Sequence, residues 1–317
     1  MWKFLACATL GLCLSGGAVA QETLASPDPV GATKTPPFFL FSDTQVSYYY
    51  IPNGRSPGLF NLKTIDPKDG RNIPRNTLNL FHTDAWAYGT NSFSLDIIRY
   101  GSQDPAGKGL PYIQNYDFGA TEAYGIYRGT LSGNALSDTK AFAIPGVFKD
   151  ISLAYGFDLN TKNNNFGPET RKVLGGLSFA LDVPIGFFNL GVYTQKEWNR
   201  NGLADAPYRH VEFPAVPHFE TVYKFPLTFT DLPLSISGFN SINLYTGRVW
   251  FGQPVKPEWI SRTTLVLDFG KLFCNQPNRL DVFVGFQYWL NKFGFDHRVT
   301  PGSEEKSLIA GVSFHIF

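Results

Sequence analysis

About twelve stretches of this chain alternate apolar and polar side chains with a period of two, and no other feature constrains the fold as tightly. Ile151, Leu153, Tyr155, Phe157 and Leu159 alternate with Asp150, Ser152, Ala154, Gly156, Asp158 and Asn160. Leu280, Val282, Val284, Phe286, Tyr288 and Leu290 repeat the rhythm, as do Leu308, Ala310, Val312, Phe314 and Ile316. A period of two is the mark of a strand with one apolar face. The runs are 38–51, 77–88, 92–100, 120–131, 148–160, 171–183, 185–198, 218–229, 232–245, 258–270, 279–290 and 306–317. Strands of globular proteins centre on ~5–6 residues, whereas crossing a bilayer at a tilt takes ~9–11. These runs are of the second kind.

A soluble sandwich also alternates, so the connections must decide. Those after the odd-numbered runs are long and polar, such as 52–76 and 199–217; those after the second, sixth and eighth are tight, at 89–91, Pro184 and 230–231. The 132–146 connection breaks the rule and leaves room for a short extra element. An even strand count, with short turns at one end and long loops at the other, is the pattern of an outer-membrane barrel. The expected fold is therefore all-β, a transmembrane antiparallel up-and-down β-barrel of about 12 strands covering 38–317. The one helical candidate, VLGGLSFALDVPIGFFNLGVY (173–193), carries Asp182, Pro184 and Gly186 at its centre. That is turn chemistry, and the stretch reads as two strands with a tight turn between them.

Aromatics supply a second test. Tyr48, Tyr49, Tyr50, Tyr100, Trp198, Tyr245, Trp259, Tyr288 and Trp289 fall at the strand ends of one rim. Trp86, Tyr88, Phe187, Phe188, Phe229, Phe269 and Phe314 fall at the other. Two girdles at bilayer interfaces are expected. Residues 1–20 read as a signal peptide: Lys3, an apolar stretch, then Ala18-Val19-Ala20 as the cleavage signal. Residues 21–37, with five Pro or Gly and no periodicity, read as a flexible periplasmic tail. Cys7 and Cys13 leave with the leader, so Cys274 stands alone and no intramolecular disulfide is expected. The location expected is the outer membrane.

The formal charge of +1 gives no field for nucleic acid. No dinucleotide fingerprint, phosphate loop or C-x-x-C motif is present, and no cofactor is expected. His82-x-Asp84 places two polar side chains on one strand face, read as structural rather than metal-binding. Asp158, Asn160 and Glu169 have calcium-loop spacing, but Lys162 and Asn163 occupy the fifth-ligand and glycine positions. A lipid-modifying enzyme would need a Ser/His pair on the barrel exterior, and no compact motif supplies one. The chain reads as a non-enzyme.

Alternation sends Asp43, Gln45, Asp96, Glu122, Arg128, Asp158, Gln195, Glu197, Glu220, Lys224, Arg262, Asp268, Asp281 and Gln287 inward, with the aromatics Phe41, Tyr193 and Phe283. A lipid-facing Arg or Lys near the midplane costs ~2–4 kcal/mol, which puts Arg128 and Arg262 in the lumen. Mixed signs along the wall point to neutral, hydrogen-bonding solutes rather than a dedicated ion channel. Plain pairing of these charges is the structural alternative for any one of them.

Three segments carry a resemblance: FFLFSDTQVSYYYIP (38–52), LNLFHTDAWAYGTNSFSLDI (78–97) and RLDVFVGFQYWLNKFGFDH (279–297). They resemble the nucleoside-specific outer-membrane channel family (Tsx/OmpK-like), in its proteobacterial outer envelope branch. The resemblance implies a twelve-stranded monomeric barrel with a narrow channel for nucleosides. The partners it suggests are outer-membrane lipid and lipopolysaccharide, the barrel assembly machinery and a nucleoside-like solute. The other reading kept open is a structural or receptor barrel with an occluded lumen.

Overall fold

The computed structural model describes residues 38–59, 61, 69–107, 118–164, 167, 169–200, 209–247 and 254–316. Its strands are β1 (Phe39–Gly54), β2 (Ile73–Trp86), β3 (Gly89–Tyr100), β4 (Thr121–Ser132), β5 (Phe148–Lys162), β6 (Arg171–Leu181) and β7 (Phe187–Arg200). They continue as β8 (His210–Glu212), β9 (Val216–Pro226), β10 (Leu234–Asn243), β11 (Glu258–Asp268), β12 (Leu280–Leu290) and β13 (Glu304–His315). Each pairs antiparallel with its neighbour, β7 pairs with β9, and β1 closes on β13. The product is a closed transmembrane barrel of twelve strands, with β8 as a three-residue extension against the end of β7. Closure leaves no sheet edge, which is the condition for a sheet to cross hydrocarbon.

All twelve expected runs become strands, with ends displaced by a few residues. The 173–193 stretch is β6, a turn and β7; Gly186 takes φ +70° there, and a Cβ would lie 2.0 Å from the Lys224 carbonyl oxygen. No helix among the described residues is long and apolar enough to cross a membrane. The irregular 132–146 connection holds α1 (Gly133–Ser137), started by the Ser132 hydroxyl accepting from the Ala135 N–H. The tenth run was expected to reach Gly270, but the strand it forms, β11, stops at Asp268. The Asp268 carboxylate accepts the Lys271 N–H at 2.7 Å and so caps α2 (Phe269–Cys274).

Register assigns the two faces. Leu153, Tyr155, Phe157 and Leu159 of β5, Val284 and Phe286 of β12, and Leu308, Val312 and Phe314 of β13 all lie exposed on the outside. An apolar band of this extent is stable in lipid, not in water. The aromatic rims need correction. Tyr48, Tyr50, Trp198 and Trp259 are exposed as expected, but Tyr49, Tyr100 and Tyr245 are buried within the barrel. Trp289 also points inward, its indole N–H donating to Glu258. Each of the three buried tyrosines has a hydroxyl that reaches a carboxylate (Asp96, Glu122 and Glu197 respectively), which outweighs an interfacial position.

The interior is uneven along the axis. Toward the short turns, inward-facing Asn189 and Val222 are exposed, Val222 at 47%. Toward the long loops, Gln195 and Glu197 on the same strand as Asn189 are each 1% exposed. One half is a wet vestibule. The other is packed with side chains and roofed by the 291–303 segment, which folds over the mouth. Gly302 (φ +74°) is needed there, since a Cβ would sit 2.2 Å from the Ser56 carbonyl oxygen.

Candidate functional site in the barrel lumen

Two chains of polar side chains leave the wall and cross the lumen. The first starts at Arg128 on β4. Its Nε and Nη2 donate to the two Glu220 oxygens at 2.9 and 2.6 Å, and Nη1 donates to Asp158 Oδ1 at 2.6 Å. Glu220 lies on β9, with β5, β6 and β7 intervening along the wall, so the guanidinium spans a chord of the barrel. Gly156 makes room for it: a Cβ there would lie 2.8 Å from Arg128 Cδ. Behind Glu220, His218 Nε2 stands 2.9 Å away and its Nδ1 meets Asn243, which donates to Glu258. Behind Asp158, the Tyr124 hydroxyl donates at 3.2 Å.

The second chain starts at Arg262 on β11, whose Nη2 donates to Gln287 Oε1 at 2.6 Å while its guanidinium lies 5.2 Å from the Tyr49 ring centre. Tyr49 donates in turn to Asp96 at 3.0 Å, and Asn79 donates to the other Asp96 oxygen at 2.7 Å. Gln287 continues the chain to Glu305, which also holds Arg75 and the Lys292 ammonium. Lys292 belongs to the 291–303 segment, is 1% exposed, and donates to the Arg55 carbonyl oxygen at 2.6 Å. Burial lowers its ammonium to about 8; Glu305 opposes the shift, and Arg75 adds to it.

The remaining candidates divide between the two halves. Glu122 accepts from Tyr100 and from Asn160 at 2.6 Å, and Glu197 accepts from Tyr245 with Lys172 3.6 Å away. Burial first, and then the Glu197 charge, push the Tyr245 phenol well above its ordinary value. Tyr193 packs with Ala154 and Leu174, its ring 5.7 Å from that of His218. At the short-turn mouth His315 bridges Asp43 (2.9 Å) and Asp281 (3.3 Å), and Gln45 donates to Asp43. Lys224 lies on the lumenal side of β9 between Phe187 and Ser237, and Gln195 donates to Glu197 at 3.4 Å. Phe41, next to the bulge in β1, is 53% exposed at the mouth. Asp268 departs from the expected lumenal contact, because its two oxygens are taken by the N–H groups of Lys271 and Asn278.

Sequence reasoning missed His218, Asn243, Glu258, Tyr49, Tyr124, Lys172 and Glu305. Tyr49 reads in sequence as a rim aromatic and Glu305 precedes the twelfth run; which of these side chains meet across the lumen has no local signal. The calcium-like trio does other work: Asp158 and Asn160 serve the contacts above, and Glu169 pairs with Arg200 at 2.9 Å. His82 faces outward, with its Nδ1 2.8 Å from the Thr44 hydroxyl and its Nε2 3.4 Å from Asp84.

No family model matches the chain, and no curated protein sequence matches it. Among solved structures it is similar to the NanC porin (9% identity, 86% of this chain and 99% of that one covered, TM-score 0.41). A BenF-like porin from Pseudomonas fluorescens Pf-5 matches at 7% identity, 88% and 99% coverage and TM-score 0.38. The translocator domain of the autotransporter NalP from Neisseria meningitidis matches at 11%, 86% and 88%, with TM-score 0.37. Porins and an autotransporter score alike, so these matches carry nothing about what the lumen passes.

Proposed function

We propose that this chain is an outer-membrane channel through which small hydrogen-bonding solutes diffuse, nucleoside-like molecules foremost. The observation that carries the reading is a lumen lined with paired charges, hydroxyls and aromatics inside an apolar outer band, wet from the short-turn mouth up to Arg128. A filled barrel that served only as an anchor would gain as much from an apolar interior, since burying ion pairs brings little net stability. Mixed charge at close range lets a polar solute exchange one hydrogen bond for another, which favours passage over tight holding. Phe41, exposed at the mouth, and the half-buried Phe283 offer faces on which a base or sugar ring can stack. The family resemblance in 38–52, 78–97 and 279–297 supports nucleosides as the class. The reading includes export by the 1–20 leader, insertion by the assembly machinery as a monomer, and lipopolysaccharide around the long-loop end.

Liposome swelling with adenosine, a sugar of similar mass and a nucleotide tests it. Fastest entry of adenosine is the expected result; equal rates for all three would make this a general porin. A second reading, a barrel occluded until its loops are displaced, is favoured by the fully buried Lys292–Glu305–Arg75 contact under the 291–303 roof. No swelling with any solute, with swelling restored by Lys292→Met, would select it.

A further inference from the structure

We propose that Asp158 and Glu220 form a lumenal binding site for the guanidinium or ammonium group of a small solute, and that Arg128 is its tethered occupant in the solute's absence. This rests on the channel reading and adds to it the charge class held where Arg128 crosses the lumen. The site has two acidic walls for one basic occupant. A single guanidinium satisfies both carboxylates, two N–H groups on Glu220 and one on Asp158. That is the forked geometry a free guanidinium matches as well as a tethered one.

Three features distinguish a site from an ordinary ion pair. First, each carboxylate has a polar neighbour on its own side of the lumen. Tyr124 donates to Asp158, and His218, itself anchored through Asn243 to Glu258, sets its Nε2 2.9 Å from Glu220 without a hydrogen bond between them. Second, Gly156 clears the path beside the arginine stem, where any side chain would collide with Cδ. Third, the contact is reachable. The Arg128 and Glu220 side chains retain 17% and 16% exposure, whereas Glu197 in the packed half retains 1%. A cation arriving from the vestibule can take the arginine's hydrogen bonds while the arginine turns to water, and the local charge is unchanged. An anion has no equivalent exchange, since it would meet two carboxylates.

The test uses the full chain refolded in detergent, with folding verified by heat-modifiable gel mobility. The probes are methylguanidinium, its neutral isostere methylurea, and acetate. In planar bilayers methylguanidinium should reduce the current and the other two should not. By calorimetry in micelles, Arg128→Ala should bind methylguanidinium at least tenfold more tightly than the unaltered chain. Adding Glu220→Gln should reverse that gain. If Arg128→Ala fails to fold, Arg128→Gln, which can still donate to one carboxylate, takes its place. Equal binding of methylguanidinium and methylurea, or a gain that survives Glu220→Gln, would overturn the proposal. Current without any methylguanidinium effect sinks the site and spares the channel. Saturable binding with no current in any variant sinks the channel and spares the site.

Discussion

Glu305 gathers the packed half of the interior around one side chain. It is fully buried and accepts from Arg75, Lys292, Gln287 and the Arg55 N–H. Removing its charge strands two buried cations, and breaking such a contact costs ~3–5 kcal/mol. Glu305→Gln should therefore lower stability by about that much, read from urea unfolding in lipid vesicles. The opposite face obeys a different rule. Val284 sits mid-strand against lipid, so Val284→Arg should cost ~2–4 kcal/mol. Ser237→Arg, facing the lumen, should cost under ~1 kcal/mol in the same assay. Val284's orientation was legible from its neighbours in sequence, because lipid punishes every exception. The Glu305–Arg75 contact was not, since 230 residues separate the pair and nothing local marks it.

The 291–303 segment behaves as one element, with Lys292 as its inserted tip. Its docking involves the Lys292 N–H on the Ser303 carbonyl and the Gly58 N–H on the Pro301 carbonyl. Docked Lys292 gives up its proton near 8, and an undocked, solvated lysine does so near 10.5. Below about 8 both forms are charged and the docked form carries the full net penalty on its charge, burial less the attraction of Glu305, on the order of 3 kcal/mol. As pH climbs from 8 toward 10.5 the undocked form holds more protons, so docking strengthens across that window. Hydrogen exchange in 291–303, corrected for intrinsic rates, should slow between pH 8 and 10 relative to the other loops. Gly302→Ala should accelerate it at every pH, because the left-handed backbone and the Ser56 approach both reject a methyl. None of this was legible in sequence. A loop folded inward has no repeating pattern, and α2 and β8 are too short to show a period.

At the scale of the molecule, the architecture was legible because one solvent constraint acts on every crossing: outward apolar, inward free. Twelve runs each had to satisfy it, which is why count, order and pairing followed. The filling of the lumen was not legible, because inward residues answer only to one another; Tyr49 and Tyr100 look like interfacial aromatics until their carboxylates are seen. Closure itself is testable at Ser47 and Ser313, Cα partners whose hydroxyl oxygens lie 2.7 Å apart. In a Cys274→Ser background, Ser47→Cys with Ser313→Cys should oxidise to a disulfide and give a species that resists opening on heating in detergent. A folded double variant that never cross-links would mean the first and last strands do not meet.

The joint between those two strands also sets the order of assembly. β1 and β13 pair only over 45–50 and 310–315, whereas β3 pairs with β2 along its whole length. Every other neighbour in the ring is adjacent in the chain or nearly so, and can form as soon as it is made. This joint must wait for the final residues and close a loop of nearly the entire polypeptide, the largest entropic toll of any pairing. Until it closes, two rows of unpaired N–H and C=O groups face hydrocarbon, each costing several kcal/mol. An open twelve-stranded sheet thus has no tolerable life in the bilayer. The chain must either insert as a finished ring or arrive with its two open rims covered by something else, and the short joint is where that cover has to let go.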